Sequence, residues 1–406
     1  MKIEQIIEKI KNNNSFSYEE INDVIQKYSD GQLSDEDFYP LLKTIYDFDI
    51  DDESLYNLTL SMKNSGEVLD LTNLGRTVDK HSTGGVSDTT TIVLVPVLAC
   101  LGTKMLKLSG RSLGFTGGTC DKLECFEGYK TEISLSDAFE LVKKNGGCMM
   151  TSTAKLAPAD KKIYALRDKT NLVDNVSLIA SSVMSKKLAT GADIIVLDVK
   201  YGNGAFMPNK NSAKKLGKKM MMLAKRDKKC AKIVYGDMSQ PLGYNIGTLL
   251  ECMEAIDILK KFDKNNPLTK ACVKLAAICH SLDKNIPYFV SKNKVIEVMK
   301  NGKALDKLKT MVSSQGGSLE LFDAKYPIPQ KIAYAQENLK IKGFKTKELG
   351  EIINNLNHRY NTNKYGIITY NKIGENIKKG EKLFSLYAPS EKLENISKQI
   401  LDCFEF

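Results

Sequence analysis

Two glycine-rich segments enclose one apolar stretch within residues 79–124, and this arrangement constrains the fold more than any other feature of the chain. The first segment covers residues 82–87 and the second covers residues 110–119. Glycine lets the backbone adopt positive φ and approach a ligand closely. The apolar residues 92–101 between them predict a helix that starts just after the first segment. We therefore expect two tight loops separated by a buried helix.

Both segments combine hydroxyl side chains with nearby cations, namely Lys80, Lys107 and Arg111. Hydroxyl and cationic groups are the donors that a phosphate needs in a small space. A helix N-terminus adds unpaired N–H groups and a positive dipole end. Neither segment matches the P-loop or the dinucleotide-binding pattern. A single loop of this kind would be interpreted as a turn, but two of them around one helix favour phosphate binding.

Composition limits the remaining classes of protein. The 406 residues are 42% hydrophobic, enough for two or three domains. The chain contains no apolar run of about 18 residues, so we expect no membrane-spanning helix. The nine cysteines form no CxxC motif, and the N-terminal residues do not resemble a secretory signal. Together these two observations predict a reduced, cytoplasmic protein. Three scattered histidines argue against a zinc site.

The net charge of +10 is distributed along predicted helices, for example in residues 214–219 and 225–229. Such runs could bind nucleic acid, but solvated helix faces explain them better.

The predicted fold class is α/β, with a helical domain from two segments, a larger α/β domain and a C-terminal α+β subdomain. Helical spacing of isoleucines and a capping box from Ser17 to Glu20 predict helices near the start. The apolar run 194–199 is typical of a buried parallel strand. The predicted boundaries are residues 1–66 and 155–190 for the helical domain, 67–154 and 191–340 for the phosphate-binding α/β domain, and 341–406 for the subdomain.

Longer motifs resemble a known family. The run SGRSLGFTGGTCDKLE, residues 109–124, looks like the signature of thymidine and pyrimidine-nucleoside phosphorylases, and DKHSTGGVSD, residues 79–88, is similar to that family's phosphate loop. The match continues through LAPADKKIYALRD, ASSVMSKKLATGAD, DVKYGNGAFM and DMSQPLGYNIG. The resemblance implies a homodimer formed through the helices, with an active site between the domains. It also implies nucleoside salvage: phosphate attacks C1′ of a pyrimidine nucleoside and releases the base and a pentose 1-phosphate.

The resemblance also implies roles for individual residues. The expected phosphate ligands are Lys80, His81, Ser82, Thr91, Lys107, Ser109 and Thr119. The expected base-binding residues are His81, Arg167, Ser182 and Lys186. Several family members bind potassium, and the matching positions here are Ser87, Thr89, Leu242, Asn245 and Glu254, mostly through backbone carbonyls.

The chemistry is consistent with these residue types. Phosphate is already an anion and needs orientation and charge compensation more than a protein nucleophile. Arg167 and Lys186 would stabilise the negative charge that develops on the departing pyrimidine, and His81 could donate a hydrogen bond or a proton to its O2. Adjacent lysines on a helix diverge by about 100°, so at most one of Lys186 and Lys187 is expected to face the ligand.

Other interpretations stay open at this point. Arg167 could pair with Asp160 or Asp168 at a helix surface, and Phe206 and Leu113 could line the base pocket or belong to the core.

The sequence departs from the family at Ser87, Ser112 and Phe115, and residues 354–359 replace a glycine-rich stretch. The alternatives are a phosphoribosyltransferase of related fold, such as one that uses anthranilate, and a catalytically silent nucleoside-binding protein.

Overall fold

The computed structural model describes residues 2–112, 114–153 and 155–406. Leu113, named above as a pocket or core residue, lies outside the described residues. The chain forms two compact units. Unit 1 comprises Met1–His81, Ser152–Leu197 and Asn211–Ile233, and unit 2 comprises Ser82–Thr151, Asp198–Lys210 and Val234–Phe406. The domain boundaries given above stay a prediction.

Helices and strands alternate through much of the described chain, as expected for the α/β class. The helices are α1 Lys2–Lys11, α2 Tyr18–Ser29, α3 Asp35–Phe48, α4 Asp52–Lys63, α5 Thr90–Cys100, α6 Thr119–Leu123, α7 Leu135–Asn145, α8 Pro158–Lys169, α9 Val176–Ala189, α10 Lys210–Arg226, α11 Thr248–Lys260, α12 Pro267–Lys284, α13 Tyr288–Lys300, α14 Lys303–Ser314, α15 Glu320–Asp323, α16 Thr346–Arg359 and α17 Leu393–Leu401. The strands are β1 Val78–Ser82, β2 Met105–Ser109, β3 Gly147–Thr151, β4 Ile194–Tyr201, β5 Cys230–Asp237, β6 Asn245–Ile246, β7 Lys331–Tyr334, β8 Leu339–Lys340, β9 Gly343–Phe344, β10 Gly366–Thr369, β11 Asn376–Ile377, β12 Lys382–Tyr387 and β13 Phe404–Glu405.

The N-terminal helices of unit 1 begin where the sequence supplies caps. Ser17 and Glu20 form the predicted capping box at α2, and Ser34 forms an equivalent box with Asp37 at α3. The apolar face of α2 is buried, and α2 packs on α4. The second helical segment packs on the first, with α9 against α4 and α8 against α2.

Strands β1, β4 and β5 form a three-stranded sheet with β4 in the centre. Residues 194–200 of β4 are buried without interruption, as expected for a strand covered on both faces. In unit 2, β2 and β3 pair in parallel, and Lys107 lies opposite Met149.

A four-stranded sheet in the order β6-β10-β12-β7 carries the C-terminal core of unit 2. Ile246, Phe344, Ile367 and Phe384 contribute to that core. None of the helices in the described part of the chain is both long and apolar enough to cross a bilayer.

Several elements differ from the sequence prediction. The helix predicted for residues 92–101 begins earlier, at Thr90, so its first turn joins the glycine-rich loop directly. Strand β3 is not predicted from the sequence, because adjacent glycines such as Gly146 and Gly147 are typical of a helix end. Residues 354–359 belong to helix α16.

Candidate functional site

The first glycine-rich segment forms a turn held by its own side chains. The Ser82 hydroxyl donates to Oδ2 of Asp88 at 2.6 Å, and Ser82 Oγ accepts from the Gly84 N–H at 3.2 Å. Gly84 has a φ of +90°, which other residues adopt only with strain. The sequence therefore places serine and glycine where the turn requires them.

Helix α5 begins directly after this turn. The N-cap position is Thr89, and the Thr90 N–H and hydroxyl donate to Oδ1 of the preceding Asp88 at 3.2 and 2.6 Å, so Asp88 satisfies one free N–H of the first turn. Thr91 lies in the first turn of the helix and is buried. The positive end of α5 thus lies beside the Ser82 turn, an arrangement that suits an anion.

The neighbouring end of β4 holds the other side of the turn. The Thr83 N–H donates to the Asp198 carbonyl at 3.0 Å, and Thr83 Oγ1 accepts from the Lys200 N–H at 2.8 Å. The Lys200 ammonium lies 2.9 Å from Oδ2 of Asp198 and 3.7 Å from Oδ2 of Asp88. Burial lowers the pKa of Lys200, but Asp198 and Asp88 outweigh it and raise that pKa overall.

A second buried lysine supports the same loop from another direction. The Lys122 ammonium lies 2.6 Å from Oε2 of Glu251 and donates to the Asp88 carbonyl at 3.1 Å. Thr89 donates to the same carboxylate oxygen of Glu251 at 3.3 Å. Sequence reasoning did not single out Asp88, Lys200 or Lys122. One signal was available for Lys200: Asp198 and Lys200 are charged residues two positions apart near the end of an otherwise apolar strand.

The second glycine-rich segment follows β2. Lys107 on this strand is buried and donates to the Leu108 carbonyl at 3.0 Å. Ser109 ends the strand, and its buried Oγ has no hydrogen-bond partner among the described residues. A buried hydroxyl without a partner costs free energy unless a ligand satisfies it. Thr119 opens the short helix α6.

The sequence suggested that the Arg111 guanidinium is available to a phosphate, but in the structure it binds two carboxylates. Its guanidinium makes two hydrogen bonds to Glu124, at 2.8 and 2.9 Å, and a third to Asp121 at 3.2 Å. The two carboxylates lie ten and thirteen residues further along the chain, a separation that no local pattern reveals.

The positions that depart from the family have defined structural partners. The Ser112 N–H donates to Asp121 at 2.6 Å, and the Phe115 ring lies 5.1 Å from the half-exposed ring of Phe206. Asn354 of α16 donates to the Gly114 carbonyl at 2.9 Å. One of the residues that replace the glycine-rich stretch, Asn354, therefore contacts the second glycine-rich segment.

The expected base-binding residues lie in unit 1. Arg167 on α8 is 1% exposed, and its guanidinium donates to the carbonyls of Leu172, Val173 and Leu178 at 3.1, 2.7 and 3.0 Å. The suggested surface pairing with Asp160 or Asp168 is therefore wrong. Burial lowers the pKa of Arg167, yet a guanidinium remains charged. Three of its five N–H groups are used by these carbonyls.

Lys186 and Ser182 lie one turn apart on α9. The Lys186 ammonium forms an ion pair with Asp160 and lies 3.4 Å from Ser182 Oγ, while its side chain is 39% exposed. Lys187 points elsewhere and is buried against Asp79 at 2.8 Å. The two adjacent lysines therefore diverge on the helix, while which of them faces the ligand stays a prediction.

Lys80 and His81 lie on β1. Lys80 is 1% exposed, and His81 is partly buried. Both belong to unit 1, whereas Ser82, Thr91, Lys107, Ser109 and Thr119 belong to unit 2.

The positions expected to bind potassium lie around the segment before β6. Ser87 has a φ of +62°, and its Oγ accepts from the Gly243 N–H at 3.0 Å. The Glu254 carboxylate is buried and accepts the N–H groups of Tyr244 and Asn245. Burial raises the pKa of Glu254 despite those donors. No cluster of three or more histidine, cysteine or acidic side chains suited to a metal ion occurs among the described residues.

A lysine lies beside this group. The Lys372 ammonium donates to the carbonyls of Pro241 and Gly243 at 2.7 and 2.6 Å. Burial lowers the pKa of Lys372 to about 8, and the Glu254 carboxylate acts in the opposite direction.

Comparison with known proteins gives consistent relatives. A family model described as "Glycosyl transferase family, a/b domain" matches residues 74–305. A pyrimidine-nucleoside phosphorylase of Staphylococcus epidermidis is 40% identical over 420 residues, which cover 98% of this chain and 94% of the relative. Those of Bacillus subtilis and Geobacillus stearothermophilus are 40% and 36% identical, and each match covers 99% of this chain and 95% of the relative.

Among solved structures, anthranilate phosphoribosyltransferase from Thermus thermophilus matches with a TM-score of 0.60 at 16% identity. The match covers 78% of this chain and 99% of that protein. At this identity the likeness concerns the fold alone.

Proposed function

The chain belongs to the pyrimidine-nucleoside phosphorylase family, and we propose that it catalyses phosphorolysis of pyrimidine nucleosides in nucleoside salvage. Thymidine and deoxyuridine are the proposed substrates, with uridine as a further candidate, and the products are the free base and a (deoxy)ribose 1-phosphate. This proposal rests on the 36–40% identity to pyrimidine-nucleoside phosphorylases, which extends over 98–100% of the chain.

Phosphate would bind at the Ser82 turn and the start of α5. Helix N–H groups and nearby hydroxyls there provide the donors, and Lys80 and Lys107 provide the proposed positive charge. Ser109 supports this assignment, because its buried Oγ has no partner among the described residues. The full proposed set is Lys80, His81, Ser82, Thr91, Lys107, Ser109 and Thr119.

The base would bind His81, Arg167, Ser182 and Lys186. As the glycosidic bond lengthens, negative charge develops on the pyrimidine, and the Lys186 ammonium would stabilise it. The Arg167 guanidinium would add fixed positive charge, while its bonds to three carbonyls keep it in position. His81 would donate a hydrogen bond or a proton to O2.

A substrate panel tests the proposal. The protein is incubated with thymidine, deoxyuridine or uridine, with and without inorganic phosphate, and base release is followed by chromatography. We expect release of thymine or uracil only when phosphate is present. Base release at the same rate without phosphate, or no release from any nucleoside, would contradict the proposal.

A monovalent cation is a second part of the proposal. Its supporting observation is the close approach of two side-chain oxygens to Gly243, where an added Cβ would lie 2.3 Å from Glu254 Oε2 and 2.6 Å from Ser87 Oγ. Potassium prefers such oxygen donors, and the proposed ligands are Ser87, Thr89, Leu242, Asn245 and Glu254. Bound there, it would supply a fixed positive charge beside the phosphate loop.

Thermal unfolding tests cation binding separately from activity. We expect potassium chloride to raise the Tm above that in tetramethylammonium chloride of equal ionic strength, because an ion bound only to the folded state stabilises it. Glu254→Gln is expected to abolish the difference. An equal response of wild type and variant to potassium would argue against the assigned ligands.

Assembly as a homodimer and a reduced, cytoplasmic setting complete the proposal. All nine cysteines, which lie within the described residues, are free thiols, and this supports a reducing environment. Sedimentation analysis would report the assembly state directly.

A further inference from the structure

The Asp88 carboxylate joins the two elements that form the proposed phosphate turn, and a buried lysine lies against it. Resting on the function proposed above, we propose that Lys200 is a positioning residue for phosphate. Its ammonium acts through Asp88, which holds the Ser82 turn against the start of α5, and does not itself contact phosphate.

Asp88 is the common acceptor of the turn. One carboxylate oxygen accepts from Ser82, and the other accepts the N–H and the hydroxyl of Thr90. A hydroxyl has one proton, so Ser82 is oriented by donating to Asp88 while its oxygen accepts from Gly84. An ionised carboxylate is acceptor-only, and both oxygens of Asp88 act as acceptors in the observed network.

Lys200 supplies the charge that makes an ionised Asp88 tolerable. Its side chain is 2% exposed, and the Asp88 and Asp198 side chains are 7% and 1% exposed. Loss of the Lys200 ammonium would take one cation away from two buried carboxylates and so favour protonation of Asp88. A protonated Asp88 would carry a donor where Ser82 and Thr90 need acceptors.

The side chain of Lys200 can be separated from its backbone. The backbone N–H holds Thr83 Oγ1, and the Thr83 N–H bonds to the Asp198 carbonyl. Both bonds survive a change of the Lys200 side chain. A substitution there consequently tests the ammonium and its action on Asp88, leaving the strand's contact with the turn intact.

A purely structural role predicts a different pattern. If Lys200 only stabilised the fold, its loss would lower the Tm and leave both Michaelis constants unchanged. If it positions the phosphate turn, its loss raises the KM for phosphate selectively.

The test uses Lys200→Met, which is one atom shorter, keeps an unbranched apolar side chain and removes the charge. We expect the KM for phosphate to rise at least about tenfold, with the KM for the nucleoside within about twofold. Asp88→Asn is expected to act in the same direction, because its amide retains one oxygen acceptor but loses the charge. In the double variant, Lys200→Met should add less than about threefold to the effect of Asp88→Asn.

The matched control is Lys63→Met, which removes a partly buried ion pair with Asp227 at 2.9 Å. It should leave both Michaelis constants unchanged. A folded Lys200→Met protein with a normal KM for phosphate would overturn the proposal. So would an equal rise in both constants, or effects that are additive in the double variant. If Lys200→Met does not fold, Asp88→Asn alone decides, and a normal KM for phosphate in it would overturn the proposal.

A second readout does not depend on turnover. Inorganic phosphate should raise the Tm of the wild type, and Lys200→Met should lose most of that rise. If the wild type releases no base but phosphate still stabilises it, the proposed function fails while the positioning role remains measurable. A full phosphate-induced rise in Lys200→Met would count against the role of Lys200.

Discussion

At the scale of single residues, the two cations proposed for the base differ in what else they do. Lys186 is partly exposed and makes one ion pair, with Asp160. Arg167 is buried and fastens three backbone carbonyls. Substitution of Lys186 leaves the buried Asp160 carboxylate without its cation, whereas substitution of Arg167 leaves three carbonyls without their donor.

Lys186→Ala is expected to lower kcat by more than about tenfold, because it removes positive charge from the developing pyrimidine anion. The Asp160 side chain is only 3% exposed, so loss of its cationic partner should also lower the Tm. Steady-state kinetics and a thermal melt provide the measurement, with Lys169→Ala on the exposed face of α8 as the control. A near-normal kcat for Lys186→Ala would refute its assigned role.

Arg167→Ala is expected to lower turnover by more than about tenfold and also to destabilise the protein by roughly 3 kcal/mol or more, since buried carbonyls lose their donors. Urea denaturation measures the free energy of unfolding, and kinetics at low temperature measure the folded fraction's activity. Unchanged stability would show that these carbonyls find other donors. Near-normal turnover would remove Arg167 from the base site.

At the scale of elements, the turn before α5 carries the proposed anion site. Gly84 holds a φ of +90°, and an added Cβ would meet only ordinary contacts at 3.6 Å. Alanine at this position would therefore disturb the turn through backbone strain and not through a clash.

Gly84→Ala should raise the KM for phosphate several-fold and destabilise the protein by about 1 kcal/mol. Gly302→Ala is a matched control, because Gly302 has a similar φ of +82° and open space around it. It should show comparable destabilisation and a normal KM for phosphate. Equal effects of the two substitutions on that constant would argue against a phosphate site at the turn.

The sequence predicted structural features that depend on neighbouring residues better than features that depend on residues far apart in the chain. Ser17 and Glu20 predicted the start of α2, because a capping box is complete within four residues. By contrast, Lys200 and Asp88 are 112 positions apart, and only the fold brings them together. The sequence did not predict that Arg111 binds Asp121 and Glu124 for a similar reason, since these partners lie ten and thirteen residues away.

At the scale of the whole molecule, the fold class and the family follow from motifs spread over the chain. The α/β class is confirmed by the structure, and the family by relatives that match nearly the full length. The assignment of each residue to phosphate or base stays a prediction, because it depends on ligand positions that residue identities do not fix. For the whole molecule, we propose one reaction, the transfer of a pentose from a pyrimidine to inorganic phosphate.

Isotope transfer tests that claim most directly. The protein is incubated with thymidine or uridine and ¹⁸O-labelled inorganic phosphate, and the sugar product is examined by ³¹P NMR and mass spectrometry. Attack of phosphate on C1′ predicts a pentose 1-phosphate whose bridging oxygen carries the label. An unphosphorylated pentose, with all the label remaining in inorganic phosphate, would contradict the account.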